Sequence, residues 1–260
     1  MSEKVILPFE LERRRIELEA TARPFVKIIP GEAGEVPVLQ SKIGGKPYLP
    51  KGLEYPTNSK GEALFFLAQL NFEDMPPLEN FPQKGLLQFY IDHENPFGQD
   101  YHDPFNQAGF RLLFFENALE ENAQVIEDFP LPTEDLPIAA GVSYPITFEK
   151  QEEIVPLSDF HFEKLLGEDF FKAFGSHQWD IMDSYSKLHN SGGHKVGGYA
   201  FFTQQDPRYR LGDLELLFQL DTDPAIQCRW GDMGVGHFFI KKEDLLNLDF
   251  SKAMFYWDCY

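Results

Sequence analysis

The stretch GLLQFYI, Gly85 to Ile91, returns near the other end of the chain as GVGHFFI, Gly234 to Ile240. It does not return alone. SKIGGKPYL (Ser41 to Leu49) resembles HKVGGYAFF (His194 to Phe202), and LAQLN (Leu67 to Asn71) resembles LFQLD (Leu217 to Asp221). FRLLFFEN (Phe110 to Asn117) has a weaker counterpart in SKAMFYWD (Ser251 to Asp258). The blocks keep their order, and the spacing between partners shortens steadily along the chain. Loops tolerate deletion and packed strands do not, so the pattern is what an internal duplication leaves behind. The expectation is one compact domain with two related β-rich halves, 25–117 and 190–260, joined by an acidic connector with a strand and a helix over 118–189. The fold class expected is α+β, mainly antiparallel β, with a few helices covering the two duplicated halves.

Strand side chains alternate between faces. In the repeated strand, Leu87, Phe89 and Ile91 share an apolar face, as do Gly236, Phe238 and Ile240, and this face should meet a core. The opposite face is mixed: Leu86, Gln88 and Tyr90 in one copy, Val235, His237 and Phe239 in the other. By the same alternation Leu67, Gln69 and Asn71 share a face, as do Leu217, Gln219 and Asp221. A glutamine set beside leucines is expected to be partly buried, and it then needs hydrogen-bond partners. Each copy opens on a double glycine, Gly44-Gly45 and Gly197-Gly198, suited to a tight turn. Neither spacing fits a phosphate-binding loop. Loops rich in Pro, Asn, Asp and Gly between the strands argue for antiparallel pairing. Two helices are expected: Phe9 to Ala22, opened by Pro8 and stopped by Pro24, and Asp159 to Phe174, where Phe162, Leu165, Leu166, Phe170 and Phe174 recur at helical spacing before Gly175.

The chain carries 42 acidic against 23 basic residues, for a net charge of -19. Phosphate backbones and anionic membranes repel such a surface, so nucleic acid and membrane are excluded as partners and a basic protein is favoured. Two cysteines, Cys228 and Cys259, cannot build a disulfide framework or a four-cysteine zinc site. Before Pro8 only three apolar residues stand together, too few for the core of a secretion signal. The expected localisation is cytoplasmic.

Candidate site residues are few. A cleft between two related halves is the default binding place. Gln69, Gln219, His194, Trp230, Asp232 and His237 are the residues expected to serve it. Trp230-Gly231-Asp232 combines a flat aromatic, a hinge and a carboxylate just ahead of a repeated strand. It reads equally as a binding loop or as a turn whose tryptophan covers the core. A histidine near Asp221 or Asp232 would suit a general base, but no GxSxG elbow supplies a nucleophile. The densest polar run, Ile91 to Phe105, offers Asp92, His93, Glu94 and His102 as weak metal ligands. Pro96 breaks any calcium-loop or HExxH reading, so no metal is assigned. No motif names a cofactor or a catalytic residue.

The runs ATARPFVKI, SKIGGKPYLPKGLEYP, LFFLAQLNF and GLLQFYID, with HKVGGY, LLFQLD, WGDMGVGHFFI and the closing Cys-Tyr, resemble the YwqG-like family of bacterial proteins over nearly the whole chain. The resemblance implies a mainly β fold with added helices and no assigned activity. Relatives that accompany toxin–immunity systems imply a protein-masking role. Two functions are therefore expected to compete. One is a non-catalytic binding module, of immunity type, that masks a basic partner. The other is an enzyme or small-ligand protein using the cleft between the repeats.

Overall fold

The computed structural model describes residues 5–94, 96–123 and 136–260. Part of the acidic connector, 124–135, lies outside the described residues. Among the described residues, ten strands form one antiparallel sheet: β1 (Arg23–Pro30), β2 (Lys42–Gly44), β3 (Phe65–Asn71), β4 (Leu86–Ile91), β5 (Phe110–Phe115), β6 (Ser143–Glu153), β7 (Lys195–Gly197), β8 (Glu215–Asp221), β9 (Val235–Ile240) and β10 (Met254–Asp258). Their spatial order is β10-β9-β8-β7-β1-β6-β2-β3-β4-β5. Two four-stranded meanders, β2–β5 and β7–β10, thus flank a central pair, β1 and β6. The first strand of the chain does not sit beside its own meander. β1 pairs with β7, and β6 pairs with β2.

The central pair is also the longest, running from Arg23↔Glu153 to Pro30↔Ile146. The two meanders agree in detail. Lys42, Gln69 and Gln88 lie side by side across β2, β3 and β4, and Lys195, Gln219 and His237 across β7, β8 and β9. Each carries a bulge at the same place, between Phe66 and Ala68 and between Leu216 and Phe218. The double glycines Gly44-Gly45 and Gly197-Gly198 all hold φ between 69° and 78°, a left-handed conformation that disfavours side chains.

The bulges change one expectation. A bulge adds a residue to one strand and resets its alternation. Leu67 therefore joins Ala68 and Leu70 in the core, and Leu217 joins Phe218 and Leu220. Gln69 and Gln219 turn to the opposite face rather than sharing one with the leucine two places before. The faces of the β4 and β9 strands fall as expected, with Leu87, Phe89, Ile91, Phe238 and Ile240 in the main core.

The sheet curls around that core until the two meanders meet. Phe89 packs on Phe218 and Phe238 with ring centroids 4.6 and 4.8 Å apart. The edge strands meet through Phe110 and Phe255 at 5.6 Å. Burying each such ring contributes roughly 1.5–3 kcal/mol, which accounts for the heavy use of phenylalanine. The segment after β4 covers the outer edge of β10: Pro104 O accepts from Phe255 N (3.1 Å), and Gln99 Oε1 accepts from Trp257 N (2.8 Å). An edge occupied in this way is closed to pairing with another chain.

Helices cover the other face. A 3₁₀ helix (Phe9–Arg14) runs into α1 (Arg15–Glu19). The helix expected from Asp159 to Phe174 is shorter. α2 (His161–Leu166) stops at Gly167, whose φ of 86° breaks it. The chain then turns so that Phe171 stacks on Phe162, at 5.6 Å. A further helix, α3 (Gln178–Leu188), has no counterpart in the sequence reading. Leu11, Leu18, Phe162, Phe170, Ile181 and Tyr185 form a second core here with Val155 and Tyr199. Two short helices, α4 (Arg208–Leu211) and α5 (Lys242–Leu246), complete the fold. Among the described residues no helix is long and apolar enough to cross a membrane.

Candidate functional site

The two glutamines do the same job in the two meanders. Gln69 Oε1 accepts from Tyr48 N (3.2 Å), and its Nε2 donates to Val38 O and Gln40 O (2.9 and 3.0 Å). Gln219 Oε1 accepts from Phe201 N (2.9 Å), and its Nε2 donates to Ser191 O and Gly193 O (3.0 and 2.8 Å). Each fully buried amide pins the chain on both sides of a diglycine turn. The residue beside each completes the arrangement: Gln88 Nε2 donates to Tyr48 O (2.7 Å), and His237 Nε2 donates to Phe201 O (2.6 Å). Burial pulls the His237 pKa down to about 3 against the hydrogen bond to Phe201, so the ring is neutral at pH 7.

His194 is held as one tautomer. Its Nδ1 accepts from Asp221 N (3.0 Å), which places the proton on Nε2 facing Asp223 Oδ2 at 3.2 Å. Burial lowers its pKa despite that carboxylate. The lone pair a general base would use is taken by the backbone. Trp230 is fully buried, edge-on to Phe97 at 5.7 Å. It lies against Gly236, where a Cβ would stand 2.4 Å from the indole. Its ring packs into the main core. Asp232 is exposed, and its carbonyl accepts from Tyr260 N (3.2 Å). Gln69, Gln219, His237 and Trp230 thus stand in the interior.

The weak metal candidates divide. Asp92 accepts from Asn58 Nδ2 (3.0 Å), His93 lies 3.3 Å from Asp92, and Glu94 pairs with Lys60 at 2.6 Å. Glu62, which the sequence reading did not single out, comes within 4.8 Å of His93 and Glu94 by their ligand atoms. These three residues could hold a divalent cation, but Lys60 and Asn58 already engage both glutamates. His102 stands elsewhere, on the lining of a separate concavity.

That concavity is a cleft of about 430 Å³. One wall is the Gln99–Pro104 segment that covers β10, and the other is Gln204–Leu211, including α4. Its anchors are buried charges that the sequence reading missed. Arg208, 1% exposed, donates from Nη2 to Asp159 (2.6 Å) and Asp206 (2.8 Å), and from Nε to Asp206 (3.0 Å). Burial alone would raise the Asp159 pKa, but the Arg208 guanidinium and His161 outweigh it and hold the carboxyl far below its ordinary value. His161 places one ring nitrogen 2.6 Å from Asp159 and the other 3.0 Å from Asp213. The signal in the sequence is the pair of acids flanking PRYR in QQDPRYRLGD.

A second cleft of about 430 Å³ lies in the other meander, between Tyr48–Lys51 and Phe115–Asn117. Tyr48 and Phe201 are the two loop residues pinned by Gln69 and Gln219, so both clefts adjoin the same kind of loop. Lys42 and Lys195 mark a difference between the meanders. Lys195 meets Glu153 at 2.8 Å, whereas buried Lys42 donates, among the described residues, to Pro37 O and Val38 O (3.0 and 3.3 Å), and burial lowers its pKa to about 8.

No curated protein matches the chain. One family does, described as a domain of unknown function, and it spans both meanders and both clefts. With residues 41–259 matched, the chain belongs to the DUF1963 family.

Proposed function

We propose that this chain is a non-catalytic binding module, acting in the cytoplasm, whose acidic exterior takes up a basic protein. The observation that carries this reading is how the candidate polar groups are employed. The glutamines and His237 are buried and hydrogen-bonded to loop backbone, and His194 has its basic nitrogen occupied. Such groups hold a scaffold and are not free to move protons. What remains outside is charge, at -19 overall, which steers and orients oppositely charged partners. The likeness to the YwqG-like family and the immunity-type neighbourhood of its relatives support a masking role.

The same reading takes the two meanders as products of one duplication. It rests on the four repeated sequence blocks, the matched bulges and the paired roles of Gln69 and Gln219. The test is affinity capture from the native host at low and at high salt, with the intact chain as bait. A basic protein retained at low salt and released at high salt is the expected result. Recovery of no salt-sensitive partner defeats the proposal.

A further inference from the structure

The cleft beside β10 is bounded by more acid than base. On one wall Asp100 accepts from His102 N (2.9 Å), Asp103 N (3.1 Å) and Asn106 Nδ2 (3.1 Å). These donors are neutral, so they fix the carboxylate without cancelling its charge, and the bonds, that from His102 N first, hold its pKa below the ordinary value. On the other wall Asp206 shares the single charge of Arg208 with Asp159. Asp258, on the same strand as Tyr256 of the lining, also has neutral partners: Thr203 N and Oγ1 (3.2 and 2.9 Å) and Gln204 N (3.0 Å). Asp213 reaches the Asp159 network through His161 and has Lys164 at 2.8 Å. Arg210 is exposed on the lining. With the Asp213–Lys164 pair set aside, the four carboxylates of Asp100, Asp159, Asp206 and Asp258 stand against two guanidiniums.

Tyr256 feels that imbalance. Its hydroxyl pKa is pushed up to about 12, by burial first and then by Asp258 and Asp206, while Arg210 pulls the other way more weakly than either. The field that keeps this proton in place also favours a cation beside it. The cleft offers such a cation an aromatic face as well. Tyr101 is 73% exposed and has no ring partner among the described residues, and a tyrosine ring attracts positive charge over its face. Pro104, Pro207 and Leu211 add apolar surface on which a long side chain can lay its stem. Both walls are fixed before anything enters: Arg208 ties α4 to Asp159, and Trp257 Nε1 donates to Pro96 O (2.8 Å) on the opposite side. A rigid site spends little ordering entropy on binding. The cleft, at about 430 Å³, leaves an ammonium room to keep part of its strongly held water.

We propose that this cleft receives an alkylammonium group, the side chain of a lysine on the basic partner, with its charge in the field of Asp100 and Asp206 and its stem on Tyr101. This rests on the reading of the chain as a binder of a basic protein, and gives that reading one place of entry. Arg210 is the one group of the lining that opposes the ligand, and its removal should therefore help binding.

The test is calorimetric titration of the intact chain at low salt with N-acetyl-lysine methylamide and with its Nε-acetylated form, which keeps the stem and loses the charge. It is repeated on Tyr101→Ala, Asp100→Asn and Arg210→Gln, with circular dichroism to check that each fold persists. The lysine amide should bind saturably, and acetylation should weaken it by about tenfold or more, as the cation–π and carboxylate attractions go together. Tyr101→Ala should weaken the lysine amide by about two- to fivefold. Asp100→Asn should weaken it, and Arg210→Gln tighten it, by about twofold or more each. Absence of saturable binding overturns the proposal, as do equal affinities for the two amides or weaker binding in Arg210→Gln. Capture from the native host with Tyr101→Ala as bait separates this inference from the wider reading. A partner held equally by the wild-type chain and the variant defeats the cleft and leaves the acidic exterior as the binder. Lysine-amide binding with no captured partner keeps the ammonium site and defeats the wider reading.

Discussion

Acid should unfold this protein partly through a single imidazole, and the molecule supplies its own control. His237 is fully buried, and burial holds its pKa at about 3, against about 6.5 in an unfolded chain. The folded state thus binds fewer protons than the unfolded state throughout that window. A histidine with a lowered pKa stabilises in full above about 6.5, and that contribution is lost as pH falls toward 3. The slope is about 1.4 kcal/mol per pH unit, for a total of roughly 4–5 kcal/mol. That is a large share of a domain stability of about 5–15 kcal/mol. In the other meander the corresponding place is held by Gln88, which makes the same kind of bond to Tyr48 O (2.7 Å) without titrating. His237→Gln should therefore cost about 1 kcal/mol or less at pH 7, by keeping an N–H donor to Phe201 O, and should flatten the acid limb. The assay is urea unfolding of both proteins at several values between pH 7 and pH 4, compared as a difference so that other carboxylates cancel. Parallel pH profiles for the two proteins would falsify the assignment of His237 as buried and neutral.

Three further outcomes follow from the same structure. Gln219→Leu strands Phe201 N, Ser191 O and Gly193 O, and Gln69→Leu strands Tyr48 N, Val38 O and Gln40 O. At about 1–3 kcal/mol per orphaned group, each variant should lose several kcal/mol in urea unfolding, and a loss under about 0.5 kcal/mol in both would refute the pinning role. Arg208→Leu leaves Asp159 and Asp206 buried without their cation. About 3–5 kcal/mol should be lost, with Asp159→Asn recovering part of it in the double variant; additive losses would show that the two side chains do not act together. Cys228 is 2% exposed and burial pushes its thiol pKa up, whereas Cys259 is half-buried. A thiol reagent should label one cysteine in the native protein and the second only on unfolding, and fast labelling of both would contradict the placement of Cys228.

The sequence carried the strands better than it carried their neighbours. Alternation placed Phe89 and Phe238 on the core correctly, because a strand's period is a local property. Alternation failed at Leu67 and Leu217, because a bulge is set by the partner strand and leaves no mark in a run of apolar residues. α3 escaped notice because QWDIMDSYSKL buries only Ile181 and Tyr185, one turn apart, and leaves Trp179 68% exposed. The glutamines are expected from the sequence to be partly buried and in need of partners, and they are fully buried. Their partners are loop backbone from residues 18 to 31 positions away, so their use as pins could not be read in one dimension. The cleft was hidden for a similar reason. Tyr101 lies on a loop and Arg210 on the four-residue α4, in stretches that resemble ordinary solvated turns, and only the path of the Gln99–Pro104 segment over β10 brings them together.

The exchanged central strands have a consequence for synthesis. β1 is made first, yet its neighbours, β6 and β7, emerge only after residue 142. As the chain leaves the ribosome, the first meander is complete while β2 presents an open edge and β1 waits unattached. The middle of the finished sheet is therefore its last part to assemble, through contacts of long sequence separation that slow folding. A nascent chain stalled at this point exposes a bare strand and an unmatched edge, the form most prone to pairing with the wrong molecule.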